Sequence, residues 1–411
     1  MLKILINSYT CCPAMGSEPG MGWNWIVHLA KFCELFIITE GEYKNQIEEW
    51  TSMSNNSIEA GRMHFYYNPV TERIRRMCWN QGDWRFYIYY RKWQKKTADM
   101  ARCICKTEKI DILHQLNMIG FREPGYLWKV SQETGIPFVW GPVDAKESFP
   151  MVYTQGTPLK TRLFLHTKNI ITHWQLKHSR RVHQAVKTAS CVLSASSNSV
   201  RTFKTYFNID SPLMNETGTY PIYTHEASSK KQTFDILWVG KMDFRKQLGI
   251  TLKSISMLCQ PDIRLHIVGN GDDVSFIVEA EKLGIANLCV VYGNVSHEQV
   301  IELMKSMDLL FFTSIAEGTP HVVLEAISCQ LPVLCFDTCG QGDCVNETVG
   351  FKIPLTNPEQ SVKDFAEKIE YLYHHREELT RMSANCQKRA EELTWENKAR
   401  QMVELYERMR E

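Results

Sequence analysis

The chain has 411 residues, 44% hydrophobic and 23% charged, which fits a soluble globular protein too long for one ordinary core and argues for two domains. Its net charge of +1 conceals an asymmetry: residues 1–215 hold 27 Lys+Arg against 17 Asp+Glu, or +10, and the remainder 20 against 29, or −9. No apolar run approaches the roughly 18–20 residues that a bilayer span needs, and a basic half beside an acidic half points to different ligands for each.

In chain order, MLKILINSYTCCP opens the sequence. Its apolar run is too short for a signal-peptide core and reads as a first β-strand. Strands are predicted at 2–8, 35–40, 63–68, 111–116, 137–142 and 191–196 in the first half. In the second half they are predicted at 234–240, 264–270, 288–294, 308–314, 332–337 and 349–355. Helical patterns lie between most of them. Doubly buried runs alternating with helices imply parallel sheets covered on both faces, and two such sets imply two Rossmann-like domains. The stretch 210–232, rich in Pro, Gly, Ser, Asn and Thr, is the expected boundary. After Pro358 the pattern is helical to the end. Fourteen cysteines in a large chain without an export signal read as reduced cytoplasmic thiols. Neither Cys103 and Cys105 nor Cys335, Cys339 and Cys344 match a zinc spacing, so no metal site is expected.

Ligands of open parallel sheets bind outside the carboxyl ends of the strands, so the loops after strands carry the information. CCPAMGSEPGMGW (11–23) has Gly16, Gly20 and Gly22, which let backbone amides approach a ligand before a helix N-terminus. It lacks a dinucleotide fingerprint and fits a flexible turn equally well. VGKMDFRKQLG (239–249) crowds Lys241, Arg245 and Lys246 at a strand end, where cations could neutralise a diphosphate or simply be solvated. HIVGNGDD (266–273) offers Gly269 and Gly271 for close approach, with Asp272 and Asp273 suiting a helix start better than a metal. AEGTPHVVLEA (316–326) places Glu317 before a helix and Glu325 inside it, with Pro320 in the first turn. The amides of Gly318 and Thr319 would form an anion site between two carboxylates able to bind sugar hydroxyls; Glu325 could equally decorate a helix face.

Together these loops resemble the GT4-type retaining glycosyltransferases of the GT-B fold, through EGTPHVVLEAISCQLPV, VGKMDFRKQ, LHIVGNGD, VVYGNVSHEQV and GSEPGMGW. The resemblance implies two Rossmann-like domains facing a cleft: 1–215 on the acceptor side, 216–394 on the donor side, and a final helix, 395–411, packing back on the first. It implies a nucleotide-diphosphate-sugar donor and no cofactor. Glu325 would hold the ribose, Glu317 would face the transferred sugar, and Gly318 and Thr319 would lie near sugar and phosphate. Lys241 and Lys246 would stabilise the diphosphate with Arg245 beside them, under a loop holding Gly16 and Ser17. Gly269 and Gly271 complete the expected donor site. Three departures stand out. The family's histidine has no counterpart around Trp140, Gly141 and Pro142, leaving His114 as a candidate to line the cleft. Lys241 replaces an arginine, keeping charge without bidentate geometry. Gln247 and Gln330 stand where glycine is usual.

The acceptor is expected to be a glycan or a lipid-linked glycan of a cell-surface polysaccharide or glycolipid. Segments 73–96 and 160–181 interleave aromatics with cations, which suits an anionic membrane surface at the inner face or a lipid-diphosphate-linked glycan, and equally a helix with a buried aromatic side. No recognition motif for nucleic acid accompanies the charge. Rival readings are a GT-B nucleotide-sugar epimerase, which needs paired acid and base groups, and a catalytically silent partner-binding homologue.

Overall fold

The computed structural model describes residues 1–80, 83–146, 148–220, 232–271 and 273–410. Asp272 and residues 221–231 of the expected boundary lie outside the described residues. All twelve predicted strands form: β1 (Lys3–Ser8), β2 (Glu34–Thr39), β3 (Met63–Tyr67), β4 (Ile112–Asn117), β5 (Phe138–Val143) and β6 (Cys191–Ser194), then β7 (Phe234–Val239), β8 (Ile263–Val268), β9 (Cys289–Gly293), β10 (Leu309–Phe312), β11 (Val333–Phe336) and β12 (Gly350–Ile353). They make two six-stranded parallel sheets, ordered β3-β2-β1-β4-β5-β6 and β12-β11-β10-β7-β8-β9. This is the two-sheet architecture implied by the alternating pattern, and its cause is visible in β1, where Ile4, Leu5 and Ile6 are all buried. Helices must therefore cover both faces of the sheet.

Both sheets reverse direction at one place, between β1 and β4 in the first and between β7 and β10 in the second. Loops leaving adjacent strands in opposite directions open a crevice there. Register is held by runs such as Ile4↔Leu35 and Ile4↔Ile112 in the first sheet and Ile236↔Leu265 in the second.

Local signals set the helix ends. Asn357 accepts the Gln360 amide at 2.9 Å, and Pro358 opens the helix Pro358–His374. Ser296 and Gln299 form a reciprocal capping box on His297–Ser306. Gln247 (φ 53°) and Gln330 (φ 59°) keep a left-handed backbone. The shape that glycine adopts freely is thus retained with a side chain. Gln247 compensates by donating from Nε2 to the carbonyls of Phe244 at 2.6 Å and Tyr153 at 2.9 Å.

The final helix, Trp395–Arg410, buries Trp395, Ala399, Met402 and Tyr406, one stripe at helical spacing. That stripe joins Ile4, Ile6, Trp25, Ile26 and Leu29 in one apolar cluster. The end of the chain therefore packs on β1 and on the helix Ser17–Leu29, with Lys31 paired to Glu396 at 2.9 Å.

Candidate active site

Lys246 and Glu317 meet at the switch point of the second sheet. Lys246 lies on the loop after β7 and Glu317 on the loop after β10, and these strands are neighbours. Cross-bonds sew the two loops together: Thr313 Oγ1 donates to the Lys246 carbonyl at 2.7 Å, and the Ile315 amide donates to the Arg245 carbonyl at 2.9 Å. Lys246 Nζ then sits 2.7 Å from Glu317 Oε1, with both side chains less than one-fifth exposed. Ser314 Oγ donates to the same carboxylate oxygen at 2.5 Å. Lys246 also lies 5.0 Å from the Phe312 ring centroid. The result is a pre-aligned carboxylate–ammonium pair in a partly dry crevice, where each charge acts more strongly than in water.

Glu325 follows on the helix His321–Ser328, with Pro320 just before its first residue. Its Oε1 is 3.0 Å from Nε2 of His297, an exposed side chain at the start of the next helix over. The Gly318–Thr319 turn departs from expectation. The Thr319 amide and Oγ1 both donate to Glu216, at 2.6 and 2.7 Å, and a Cβ on Gly318 would stand 2.4 Å from Glu216 Oε1. The anion held at this turn is thus the protein's own buried carboxylate. Burial pushes the Glu216 carboxyl up, against the pull of its Thr319 bonds. Nothing in the spacing of residues 210–220 signals that role.

Around this pair the other predicted residues fall into two groups. Lys241 is exposed, and Arg245 is exposed and paired with Asp243 at 2.6 Å; that pair holds the Asp243 carboxyl below its usual range despite partial burial. Gly269 and Gly271 (φ 147° and 152°) serve the loop bearing Lys241, since their Cβ atoms would meet Gly240 O at 1.8 Å and Met242 Cβ at 2.5 Å. Their freedom lets two loops touch, with the Met242 amide donating to the Asn270 carbonyl at 2.8 Å. In the first domain Gly16 and Ser17 are exposed at the start of Ser17–Leu29. Gly20 and Gly22 instead admit Met15 O and Thr10 O, at 2.0 and 2.5 Å from where a Cβ would be. They are packing glycines, a correction to their reading as ligand contacts.

His114 does not line the cleft. It is fully buried, with Nε2 2.6 Å from the Gly141 carbonyl and Nδ1 2.5 Å from Tyr406 Oη. A carbonyl only accepts, so Nε2 carries the proton and Nδ1 accepts from tyrosine. Burial pushes the imidazole down to about 4. It is a structural histidine that ties β4, β5 and the final helix together.

Two cavities open at the sheet ends. One, of about 350 Å³, is walled by Gly120, Arg122, Asp144, Lys146 and Lys168 on the N-terminal side and by Arg245, Glu317 and Gly318 on the other. A second, of about 250 Å³, lies within the N-terminal domain and is lined by Tyr9, Ser17, Glu18, Trp79 and Tyr87 among others. Burial pushes the Glu18 carboxyl up to about 7, although it accepts the Ile119 amide at 3.1 Å. Sequence reasoning passed over Glu18, Arg122 and Lys146, whose spacing along the chain carries no motif, whereas Lys168 belongs to the basic–aromatic segment 160–181.

Residues 223–389 match the family model of the glycosyl transferases group 1. The chain is similar to the lipopolysaccharide glucosyltransferase WaaG of Escherichia coli, 31% identical over 122 residues, covering 29% of this chain and 32% of that one. It is also similar to the sulfoquinovosyl transferase SQD2 of Arabidopsis thaliana, 27% identical over 160 residues, 39% of this chain and 30% of the other. The chain spans less than half the length of the curated relatives that it matches first. Among solved structures, Anabaena Alr3699/HepE in complex with UDP-glucose superposes with a TM-score of 0.57 at 15% identity, over 98% of this chain and 99% of that one. That likeness, with the two switch-point sheets, gives the GT-B fold. The match to the glycosyl transferases of group 1 thus falls on residues 223–389, within a chain that has the GT-B fold.

Proposed function

We propose that this protein transfers a sugar, with retention at the anomeric carbon, from a nucleotide-diphosphate donor to a glycan or lipid-linked acceptor. The observation that carries the reading is the Lys246–Glu317 pair at the switch point, 2.7 Å apart at the edge of an interdomain cleft. As the glycosidic bond breaks, negative charge develops on the departing diphosphate and positive charge on the sugar ring. Lys246, with Lys241 on the same loop, stabilises the first. Glu317 lies on the sugar side and stabilises the second, its own charge matched until then by Lys246. Glu325 takes the ribose hydroxyls, exchanging its contact with the exposed His297 for the ligand. The lysines supply the positive charge that a metal ion would otherwise provide. The UDP-glucose complex of the similar Anabaena protein supports a nucleotide-sugar donor.

The acceptor side faces a membrane in this reading. The helix Leu159–His178 buries Leu165, Thr172 and Leu176 on one side. On the other it exposes Leu159, Leu163, Phe164, Ile170, Ile171 and Trp174. Lys160, Arg162, Lys168 and Lys177 flank them, and no acidic residue occurs between Glu147 and Asp210. An exposed apolar face framed by cations fits the interfacial region of an anionic bilayer, at its cytoplasmic face. No helix among the described residues is long and apolar enough to cross a membrane.

The donor is identified by a thermal-shift screen of UDP-, GDP- and dTDP-sugars. With the sugar that shifts the transition, Glu317→Ala is expected to lower turnover at least about a hundredfold, on the scale of removing an electrostatic stabiliser, while nucleotide binding persists. Unchanged turnover in the variant would reject the role of Glu317.

A further inference from the structure

The 350 Å³ cavity carries a second set of cations, on its N-terminal wall. Arg122 donates from Nε to Gln175 at 2.7 Å and from Nη2 to Thr172 at 2.5 Å, both neutral partners. Lys146 Nζ donates to the Ile315 carbonyl at 2.9 Å and lies 3.3 Å from Cys339 Sγ. Lys168, on the membrane-facing helix, forms no ion pair among the described residues. The other charged groups of the wall are largely spoken for: Glu317 by Lys246 and Arg245 by Asp243. Asp144, bonded to Ser199 at 3.4 Å, is then the one carboxylate among the described lining residues left facing three cations. Among the described lining residues the balance is an excess of two positive charges in a partly enclosed space, which an anion would offset. Desolvation, and then the neighbouring Arg122, lowers the Lys168 ammonium; desolvation also lowers the Arg122 guanidinium. Like charges have thus been gathered on one wall of the cavity, Arg122 and Lys146 half-buried and Lys168 exposed at its rim, as at anion sites.

We propose that Arg122, Lys146 and Lys168 bind a phosphate or diphosphate group of the acceptor, at a subsite separate from the donor diphosphate. This rests on the transfer reading above and adds the acceptor's chemical class. Lys241 does not line this cavity, so the two anionic subsites are served by different lysines. A guanidinium beside two ammonium groups matches a dianionic phosphate in charge, and Gln175 and Thr172 hold the Arg122 side chain in place through its Nε and Nη2. The position is apt for an amphiphile. Lys168 belongs to the same helix that exposes Phe164 and Trp174, so a lipid tail in the bilayer and its headgroup phosphate in the cleft would be spanned by one element.

The test is calorimetric titration of the full chain with inorganic pyrophosphate and with farnesyl diphosphate, both with and without the nucleoside diphosphate selected by thermal shift. Both probes are expected to bind the nucleotide-loaded protein. Arg122→Gln and Lys168→Gln are each expected to weaken that binding at least about tenfold, the effect of losing one charge-assisted contact. Arg122→Lys should restore most of it, which a merely misfolded variant would not, and nucleotide binding should persist in all three. Tighter binding of farnesyl diphosphate than of pyrophosphate assigns the phosphate to a lipid; equal binding assigns it to a water-soluble ester. Absence of probe binding, or binding unchanged in both Gln variants, overturns the proposal. If no nucleotide shifts the protein, the transfer reading fails instead, and titration of the free chain still reads the Arg122 site.

Discussion

At the scale of single residues, the histidines and glutamines show how identity and environment divide the work. His114 belongs to a residue type common in catalysis, and its place at a strand end made it a cleft candidate. Enclosure by β5 and the final helix makes it a neutral strut instead. Its folded value of about 4 lies below the unfolded value near 6.5, so the native state resists protonation. The associated stability is present above pH 6.5 and is lost as pH falls from there toward 4. Glu18 has the opposite sign: its carboxyl is raised to about 7, so its contribution is present below about 4.5 and is lost as pH rises to 7. The two partly cancel in the whole protein, and the informative quantity is the difference between wild type and His114→Gln. That gap, measured by urea denaturation, is expected to narrow by roughly 2–3 kcal/mol between pH 7 and pH 4.5. A constant gap would mean that His114 does not titrate in this window. Gln247 and Gln330 carry a different lesson. The positions that favour glycine keep their positive φ without it, because backbone geometry there is imposed by the neighbouring loops.

At the scale of elements, the helix Leu159–His178 is apolar on both sides, which an amphipathic reading of the sequence alone cannot resolve. Only the fold separates the inner face, with Leu165 and Leu176, from the outer one, with Phe164 and Trp174. Replacing both aromatics by serine should leave the fold intact, since both side chains are exposed. Each aromatic contributes roughly 1.5–3 kcal/mol when transferred from water to the interface. The double variant is therefore expected to lose most of its co-sedimentation with phosphatidylglycerol vesicles at low salt. Equal pelleting of variant and wild type, or no pelleting of either, would rule out this face as the membrane contact. Segment 73–96 presents a smaller version of the same pattern, with Trp79, Trp84, Tyr87 and Ile88 exposed but Phe86, Tyr90 and Trp93 buried with Tyr9 in a separate cluster.

At the scale of the whole molecule, the chain is held together by elements that leave one domain and complete the other. Tyr153 Oη is 2.8 Å from Ser361 Oγ, and its ring belongs to the core of the second sheet. Asp343 accepts the Ser197 amide at 3.0 Å across the cleft, beside an Asn215 contact at 3.4 Å. The final helix does the same in reverse, filling the first core with Met402 and Tyr406, both fully buried. Met402→Ala would leave a cavity in the N-terminal core and is expected to cost about 2–5 kcal/mol. Thermal denaturation checks this: a transition within a degree of wild type would mean that the helix does not complete that core.

Periodicity and turn chemistry, both local properties, determined by themselves that twelve strands alternate with helices, that two parallel sheets result, and that Lys246 and Glu317 follow strands. They did so because burial on both faces writes apolar runs directly into the chain. Tertiary structure alone decided which strand ends are neighbours, and hence that Lys246 touches Glu317. It also decided that Glu216 occupies the Thr319 turn, that His114 is sealed beneath Tyr406, and that Arg122, Lys146 and Lys168 converge on one cavity. Those contacts join residues far apart in sequence, and the free energy of a charge depends on what surrounds it in space. No spacing along the chain encodes that surrounding.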